Sequence, residues 1–193
     1  MTHKIPSARP ILFCERLVPK LLDGSKRVTR RVTNDTDSRP CPYGDEGDLL
    51  WVRHAHWRGF KGTYNDQVWD PYTRCTRWRT ADREVHGMGL QLDARGEHVS
   101  LRKVSGRYLP KWAACIWLRI VTVRRQRLHA MSWVDALTEG ADSLADFRDL
   151  WDRLNARRGY AWEANPSVWV IEFERADYET IRPDARARKG AQA

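Results

Sequence analysis

The sequence predicts an α+β fold, a small mixed β-barrel that is decorated by a few short helices. The predicted elements follow the order strand, helix, strand, further strands, helix pair and strand, with no internal repeat. Strands and helices do not alternate regularly and no GxGxxG loop is present, which argues against a dinucleotide-binding sheet. Hydrophobic residues make up 41% of the 193 residues, so we expect a packed core and not a disordered chain.

The first part of the chain predicts a strand, a short helix and a second strand. Residues 11–13 are apolar and typical of a short buried strand, and apolar residues then recur on one helix face over 17–22. Gly24 fits the left-handed position after the end of that helix. Residues 26–32 alternate in the manner of a strand. One face of this strand carries Val28, Arg30 and Val32, and the other carries Arg27, Thr29 and Arg31.

The middle of the chain predicts two strands and a long insertion. Asp, Pro and Gly mark residues 34–48 as a loop, and the apolar residues 49–52 follow as a strand. Residues 58–77 and 83–100 mix glycine, charges and scattered aromatic residues without a clear period, so we expect loops and short strands there, in an insertion at about 55–105. Residues 114–123 are almost continuously apolar, which predicts a strand that is covered on both faces.

The last part of the chain predicts two helices and a final strand. Ser132 and Asp135 resemble a capping box at a helix start, and Gly140 is a helix stop. A second helix starts at Ser143, and residues 168–173 form the last strand. The second helix carries an apolar stripe of Leu144, Phe147, Leu150, Trp151 and Leu154. We therefore expect one domain over residues 1–182 with an insertion at about 55–105, followed by a disordered basic tail over residues 183–193.

The chain is strongly basic, with 34 Lys and Arg against 25 Asp and Glu, a net charge of +9 and a pI near 9.7. Such a charge suits a nucleic-acid partner, because phosphate contacts release counterions; generic solubility charge is the alternative. Ten tryptophans offer rings that either fill the core or stack on bases. No stretch approaches the roughly 20 apolar residues of a membrane span, and no secretory leader is visible, so we expect a cytoplasmic protein without a membrane partner.

The cysteines and histidines predict neither a metal nor another cofactor. Four widely spaced cysteines, without a CxxC pair, are expected to be free thiols. Their spacing to the histidines matches no known zinc pattern. These cysteines and histidines are Cys14, Cys41, Cys75, Cys115, His54, His56 and His86. His54 and His56 alternate near a strand end, so their side chains point the same way. They are either a metal-binding or acid–base pair, or two hydrogen-bonded histidines at the strand edge.

Three residues are candidates for acid–base or nucleophilic chemistry. Lys26 lies beside a helix end and near arginines, which suits either a base or a contact to phosphate. Thr29 is either a nucleophile or an ordinary strand threonine. Glu139 ends a helix, where the dipole disfavours its charge; an ordinary surface glutamate is the alternative. A phosphate-binding rim is a further expectation, formed by Arg30, Arg31, Arg119, Arg124, Arg125 and Arg127.

Two segments resemble the ASCH domain of the PUA-like superfamily. Residues 24–31 (GSKRVTRR) supply the Gly-x-Lys element after the first helix, and residues 135–140 (DALTEG) supply a helix that ends in Glu-Gly. The similarity is wider with phage and prophage ASCH proteins. It then covers the blocks ILF (11–13), DGSKRVTRR (23–31), CPYGDEGDLLWVR (41–53), LPKWAACIWLRI (109–120), FRDLWDRLN (147–155) and NPSVWVIEFE (165–174).

The resemblance implies a PUA-like barrel, encoded by a phage or prophage, that binds RNA, single-stranded nucleic acid or a modified nucleoside. The ligand-binding candidates are Arg27, Arg30, Arg31, Trp51, Arg53 and Arg119. One ASCH branch comprises amidohydrolases that deacylate N4-acetylcytidine with a lysine, a threonine three residues later and a glutamate, and Lys26, Thr29 and Glu139 match these positions. The implied alternative is therefore an amidohydrolase in which the lysine activates the threonine nucleophile or a water and the glutamate moves the proton.

The chain departs from the family pattern in two places. The insertion over residues 55–105 has no counterpart in the shorter amidohydrolases, so we expect it to cover or rebuild the pocket. His54 stands where phage relatives usually carry an acidic residue after Trp-Val-Arg. A metal-dependent RNase and a phage assembly or host-interaction protein are further alternatives, and no residue argues for either of them.

Overall fold

The structure is a computed structural model that describes residues 6–33, 39–59, 68–70, 73, 75–79, 84–88 and 101–177. The predicted tail over residues 183–193 lies outside the described residues. The chain divides into two compact units. The first unit comprises Met1–Arg9, Lys20–Leu50 and Leu118–Arg175, and the second comprises Pro10–Pro19, Trp51–Trp117 and Ala176–Ala193.

The described residues form ten strands and three α-helices. The strands are Ala8–Leu12 (β1), Val28–Val32 (β2), Leu49–Arg53 (β3), His56–Gly59 (β4), Val68–Asp70 (β5), Cys75–Arg79 (β6), Glu84–Met88 (β7), Leu101–Val104 (β8), Trp117–Arg127 (β9) and Ser167–Ala176 (β10). The helices are Val18–Leu22 (α1), Trp133–Thr138 (α2) and Leu144–Asn155 (α3). One sheet has the order β1-β3-β9-β10-β2 and a second has the order β7-β6-β5-β4-β8. The predicted α+β class is confirmed.

Local sequence signals fix the ends of the helices in the first unit. Ser132 and Asp135 form the predicted capping box, in which each side chain binds the other residue's backbone N–H. Ser143 caps α3 by accepting a hydrogen bond from the N–H of Asp146. Gly140 takes a φ of +83°, the left-handed conformation that lets the chain leave α2. No helix within the described residues is long and apolar enough to cross a membrane.

The helices cover one face of the sheet in the first unit. The apolar core there combines residues of β2 and β10 with residues of α2, α3 and the segments between them. Its buried members are Val28, Leu128, Met131, Ala136, Ala141, Phe147, Trp151, Val168 and Val170. The predicted stripe of α3 is therefore correct for Phe147 and Trp151, whereas Leu144 and Leu154 are exposed.

The register of β2 against β10 defines the opposite face of this sheet. The two strands are antiparallel, with Thr29 opposite Ile171 and Arg31 opposite Trp169. Directly opposite residues of a pair project to the same face, and neighbours along a strand project to opposite faces. Val28, Val168 and Val170 pack on the helices, so the alternate residues of the two strands lie on the far side. We call this side the Trp169 face; it is formed by Thr29, Arg31, Trp169 and Ile171.

One expectation about strands was wrong. The apolar run at 114–123 is not a strand along its whole length, because 3-10 turns and a short connection precede β9 at Trp117. Beyond Ile120, β9 is mostly exposed or half-exposed, so it is not covered on both faces. The insertion was expected to hold short strands, and its described residues pair into the five-stranded second sheet.

Candidate functional site

Lys26 lies between α1 and β2, in a position that local structure prepares. Gly24 has a φ of +78°, which ends the helix, and the N–H of Lys26 then donates to the carbonyl of Lys20 at 2.8 Å. The ammonium donates to the carbonyl oxygens of Val28 and Glu139 and to Glu139 Oε2, each at 2.7 Å. These three acceptors match the three N–H bonds of an ammonium. Lys26 is only 2% exposed and Glu139 only 5%.

Arg30 extends this contact into a buried network. Its Nη1 lies 3.2 Å from Glu139 Oε1, and its Nη2 lies 3.1 Å from Asp135 Oδ1. Burial alone raises the pKa of Asp135, but hydrogen bonds from Ser132 and the contact with Arg30 outweigh it and lower the pKa overall. Two cations therefore face two carboxylates, and the network joins the start of β2 to α2.

Thr29 belongs to a different group of side chains. Its hydroxyl accepts a hydrogen bond from Arg31 Nη1 at 2.7 Å, and it is 1% exposed. Because Thr29 lies on the Trp169 face, it projects away from the face on which Arg30 meets Glu139. The structure thus brings two of the three predicted catalytic residues, Lys26 and Glu139, into contact, and it does not bring the hydroxyl of Thr29 to either of them.

The Trp169 face carries an arginine–tryptophan cluster that sequence reasoning missed. The guanidinium of Arg125 lies 4.9 Å from the centre of the Trp169 ring, a distance typical of a cation–π contact. Trp169 is half-buried, and Arg31 is its direct cross-strand neighbour. Arg125 and Arg31 were both expected at a phosphate-binding rim. Trp169 lies in the continuous apolar run 168–171, and nothing in that run distinguishes its side chain from those of the core.

A pocket of about 730 Å³ opens beside Trp169, within the first unit. Its walls come from the start of β1, the loop that precedes β3, and the strands β9 and β10. The lining residues are Arg9, Arg39, Pro40, Cys41, Pro42, Gly44, Asp45, Asp48, Val123 and Trp169. Burial raises the pKa of the Cys41 thiol, so this side chain presents a neutral wall.

The remaining predicted ligand residues do not line this pocket. In the first unit, Arg27 is exposed and donates from Nε to the carbonyl of Gly24 at 2.8 Å. Arg119, with 39% of its side chain exposed, lies 3.9 Å from Glu174 Oε1. In the second unit, Trp51 is buried and the guanidinium of Arg53 lies 4.6 Å from the centre of its ring.

His54 and His56 of the second unit are buried and not edge residues, since each is 1% exposed. His54 Nε2 lies 3.3 Å from Asp70 Oδ2, and Nδ1 lies 2.8 Å from the carbonyl oxygen of Ala55. Burial lowers the pKa of His54, but the hydrogen bond and the charge of Asp70 outweigh it and raise the pKa overall. Thr73 also donates to Asp70 Oδ2, at 2.8 Å. The acidic partner comes from the insertion, where the sequence offered no signal for it.

His56 has the opposite environment. Its Nδ1 lies 3.3 Å from the carbonyl oxygen of His54, and its Nε2 is buried without a hydrogen-bond partner among the described residues. Burial lowers the pKa of His56 to about 4, so the ring is neutral at pH 7. No group of three or more His, Cys, Asp or Glu side chains in the described part of the chain is arranged to hold a metal ion. Cys14, Cys41 and Cys115 are not in disulfide bonds, and the side chains of Cys75 and His86 lie outside the described part of the structure.

Two solved structures are similar to this chain. One is an ASCH domain from Lactobacillus crispatus JV V101, with 15% identity, a TM-score of 0.43, and coverage of 88% of this chain and 79% of that one. The other is a DUF984 protein from Enterococcus faecalis V583, with 12% identity, a TM-score of 0.44, and coverage of 92% and 84%. No protein-family model and no curated protein matches the chain.

Proposed function

We propose that the protein binds single-stranded nucleic acid, or a nucleotide, at the part of the Trp169 face where the half-buried Arg31 and Trp169 lie, since Thr29 and Ile171 are buried. The observation that carries this proposal is the cluster in which Arg31 lies opposite Trp169 and Arg125 lies 4.9 Å from the Trp169 ring. Guanidinium groups bind phosphate oxygens, and a tryptophan ring stacks on a base for about 1–3 kcal/mol. The net charge of +9 and the resemblance of residues 24–31 to the ASCH element support the same partner.

The side chains of residues 24–31 are divided between two tasks under this proposal. Lys26 and Arg30 hold Glu139 and so fix α2 against the start of β2. Arg31, on the other side of the same strand, faces the ligand. The hydroxyl of Thr29 accepts from Arg31 Nη1 at 2.7 Å and thereby orients that guanidinium. We therefore assign ligand binding to Arg31 and a positioning role to Thr29.

The test is fluorescence anisotropy with labelled single-stranded RNA and DNA oligonucleotides over a range of salt concentrations. Arg125→Ala should weaken binding to all sequences about equally and reduce the slope of log K against log salt by about one. Arg148→Ala is the matched control, because Arg148 is a half-exposed arginine of α3 whose partner is Glu163. Equal effects of the two substitutions, or binding that does not depend on salt, would count against the proposal.

A second candidate is the amidohydrolase that acts on N4-acylated cytidine. The direct contact of Lys26 with Glu139 at 2.7 Å favours it, because the ASCH amidohydrolases use a lysine and a glutamate at these positions. Its weakness is the orientation of Thr29 toward Arg31. Incubation with N4-acetylcytidine, with cytidine quantified by mass spectrometry, tests it. Turnover that disappears in Thr29→Val, with the fold intact by circular dichroism, would establish this candidate, and absence of product in the wild type would remove it.

A further inference from the structure

We propose that the pocket beside Trp169 takes one nucleotide unit, with its base against Trp169 and its single phosphate against Arg9 and Arg39. This inference rests on the proposed function and specifies where one unit of the strand is held. The volume of about 730 Å³ lies within the roughly 300–1,000 Å³ of typical small-molecule sites, so a nucleoside monophosphate fits. A strand that bound only through surface arginines would not require such a pocket.

The loop that forms one wall is held in a fixed shape. Asp48 accepts hydrogen bonds from the N–H groups of Ser7 at 2.9 Å and Asp45 at 3.1 Å. Gly44 has a φ of +117°, and a Cβ there would lie 2.8 Å from Asp48 Oδ2, so only glycine fits. The N–H of Gly47 donates to the carbonyl of Ile120, which ties the loop to β9. A wall that is already formed loses little entropy when a ligand binds.

The charges around the pocket select an anion of low charge. The carboxylate of Asp48 is 4% exposed and accepts hydrogen bonds from backbone N–H groups, so its oxygens are already engaged there. Arg9 uses Nη1 to bind the carbonyl of Pro42 at 2.9 Å, and a guanidinium has further N–H donors for a phosphate. Asp45 is exposed at the wall, and its carboxylate repels a second or third phosphate. One phosphate is therefore the best match.

The ring of Trp169 supplies the base contact. It lines the pocket together with Val123, and the guanidinium of Arg125 lies 4.9 Å from its centre. Bases stack on tryptophan rings. Because the guanidinium of Arg125 lies over one face of the Trp169 ring, the base stacks on the opposite face. This contact tolerates any base, whereas the arginines require the phosphate.

Isothermal titration with cytidine 5′-monophosphate, cytidine and inorganic phosphate tests the inference. We expect the monophosphate to bind more tightly than either of its halves. Arg9→Ala should weaken monophosphate binding about tenfold or more, since a hydrogen bond to a charged group is lost. Arg9 is exposed but also binds the carbonyl of Pro42, so circular dichroism must show that the fold of the variant is intact. Trp169→Leu provides the corresponding test of the base contact. Arg148→Ala is the control without effect.

Oligonucleotide binding, measured on the same variants, separates this inference from the proposed function. One outcome would contradict the nucleotide site and leave the proposed function standing. In that outcome, oligonucleotide binding depends on salt and on Arg125, but the monophosphate does not bind or binds equally well to Arg9→Ala. Loss of binding of both ligands in Arg9→Ala supports the pocket. A wild-type protein that binds neither ligand contradicts both.

Discussion

The ammonium of Lys26 lies 2.7 Å from Glu139 Oε2, although the two residues are 113 positions apart in the chain. The same junction contains the backbone hydrogen bond from the N–H of Arg27 to the carbonyl of Thr138, at 2.9 Å. Together these contacts fasten the end of α2 to the start of β2. Since both side chains are buried and fully hydrogen-bonded, the pair stabilises the fold and holds the strand that carries Arg31.

We expect Glu139→Gln to reduce the free energy of unfolding by roughly 3–5 kcal/mol, because it leaves two buried cations with one charge partner fewer. Urea denaturation measures this loss. Glu163→Gln is the control: Glu163 is exposed and pairs with Arg148 on the surface, so its loss should stay below about 1 kcal/mol. Similar losses in the two variants would show that the buried network is not an important source of stability.

Acid should destabilise the protein through His56. Its pKa is lowered from 6.5 to about 4 in the folded state, so the unfolded chain binds the extra proton between these values. Stability contributed by the neutral ring is therefore complete above pH 6.5 and falls as the pH drops toward 4, by on the order of 3 kcal/mol. His56→Gln should flatten this part of the profile, measured by denaturation at a series of pH values. If His56→Gln loses as much stability as the wild type between pH 6.5 and pH 4, the carboxylates alone account for the loss.

His54 should act in the opposite direction. Its pKa is raised above 6.5, so the stability from its contact with Asp70 is fully present below pH 6.5 and is lost as the pH rises through the folded-state pKa. Asp70→Asn removes the main cause of the raised pKa. This variant should lose less stability than the wild type on going from pH 6.5 to alkaline pH. Parallel profiles for the two proteins above pH 6.5 would exclude a charged His54.

Gly106 should be intolerant of any side chain. A Cβ at this position would lie 2.6 Å from the backbone carbon of His54, and backbone cannot move aside as a flexible side chain can. We expect Gly106→Ala to cost roughly 3 kcal/mol, at the upper end of overpacking effects. Gly24→Asn is the control, since Gly24 has open space around it and asparagine tolerates its φ of +78°. That control should cost less than about 1 kcal/mol in the same denaturation experiment.

The sequence predicted best where structure is decided locally. The capping box of Ser132 with Asp135, the start of α3 at Ser143 and the left-handed Gly24 depend on residues a few positions apart, and each was predicted correctly. The alternation of β2 also placed Thr29 on the same side as Arg31, as their hydrogen bond confirms. These features need no knowledge of the rest of the chain.

The sequence predicted least where distant segments meet. The alternation of β2 does not say which face α2 covers, so the separation of Thr29 from Glu139 was not visible. The pairing of His54 with Asp70 and the stacking of Arg125 on Trp169 depend on strand register, which the weak pattern of the insertion and the polar end of β9 do not specify. The candidate site is therefore mostly a product of long-range pairing.

Ultraviolet cross-linking of a 4-thiouridine RNA oligonucleotide, with peptide mapping by mass spectrometry, tests the proposed binding face most directly. Binding beside Trp169 should give cross-links in the β10 peptides that contain Trp169, with a second set in the loop that lines the pocket. Competition by excess cytidine 5′-monophosphate should reduce both sets. Cross-links confined to α2, around the exposed Trp133, or to the second sheet would contradict it.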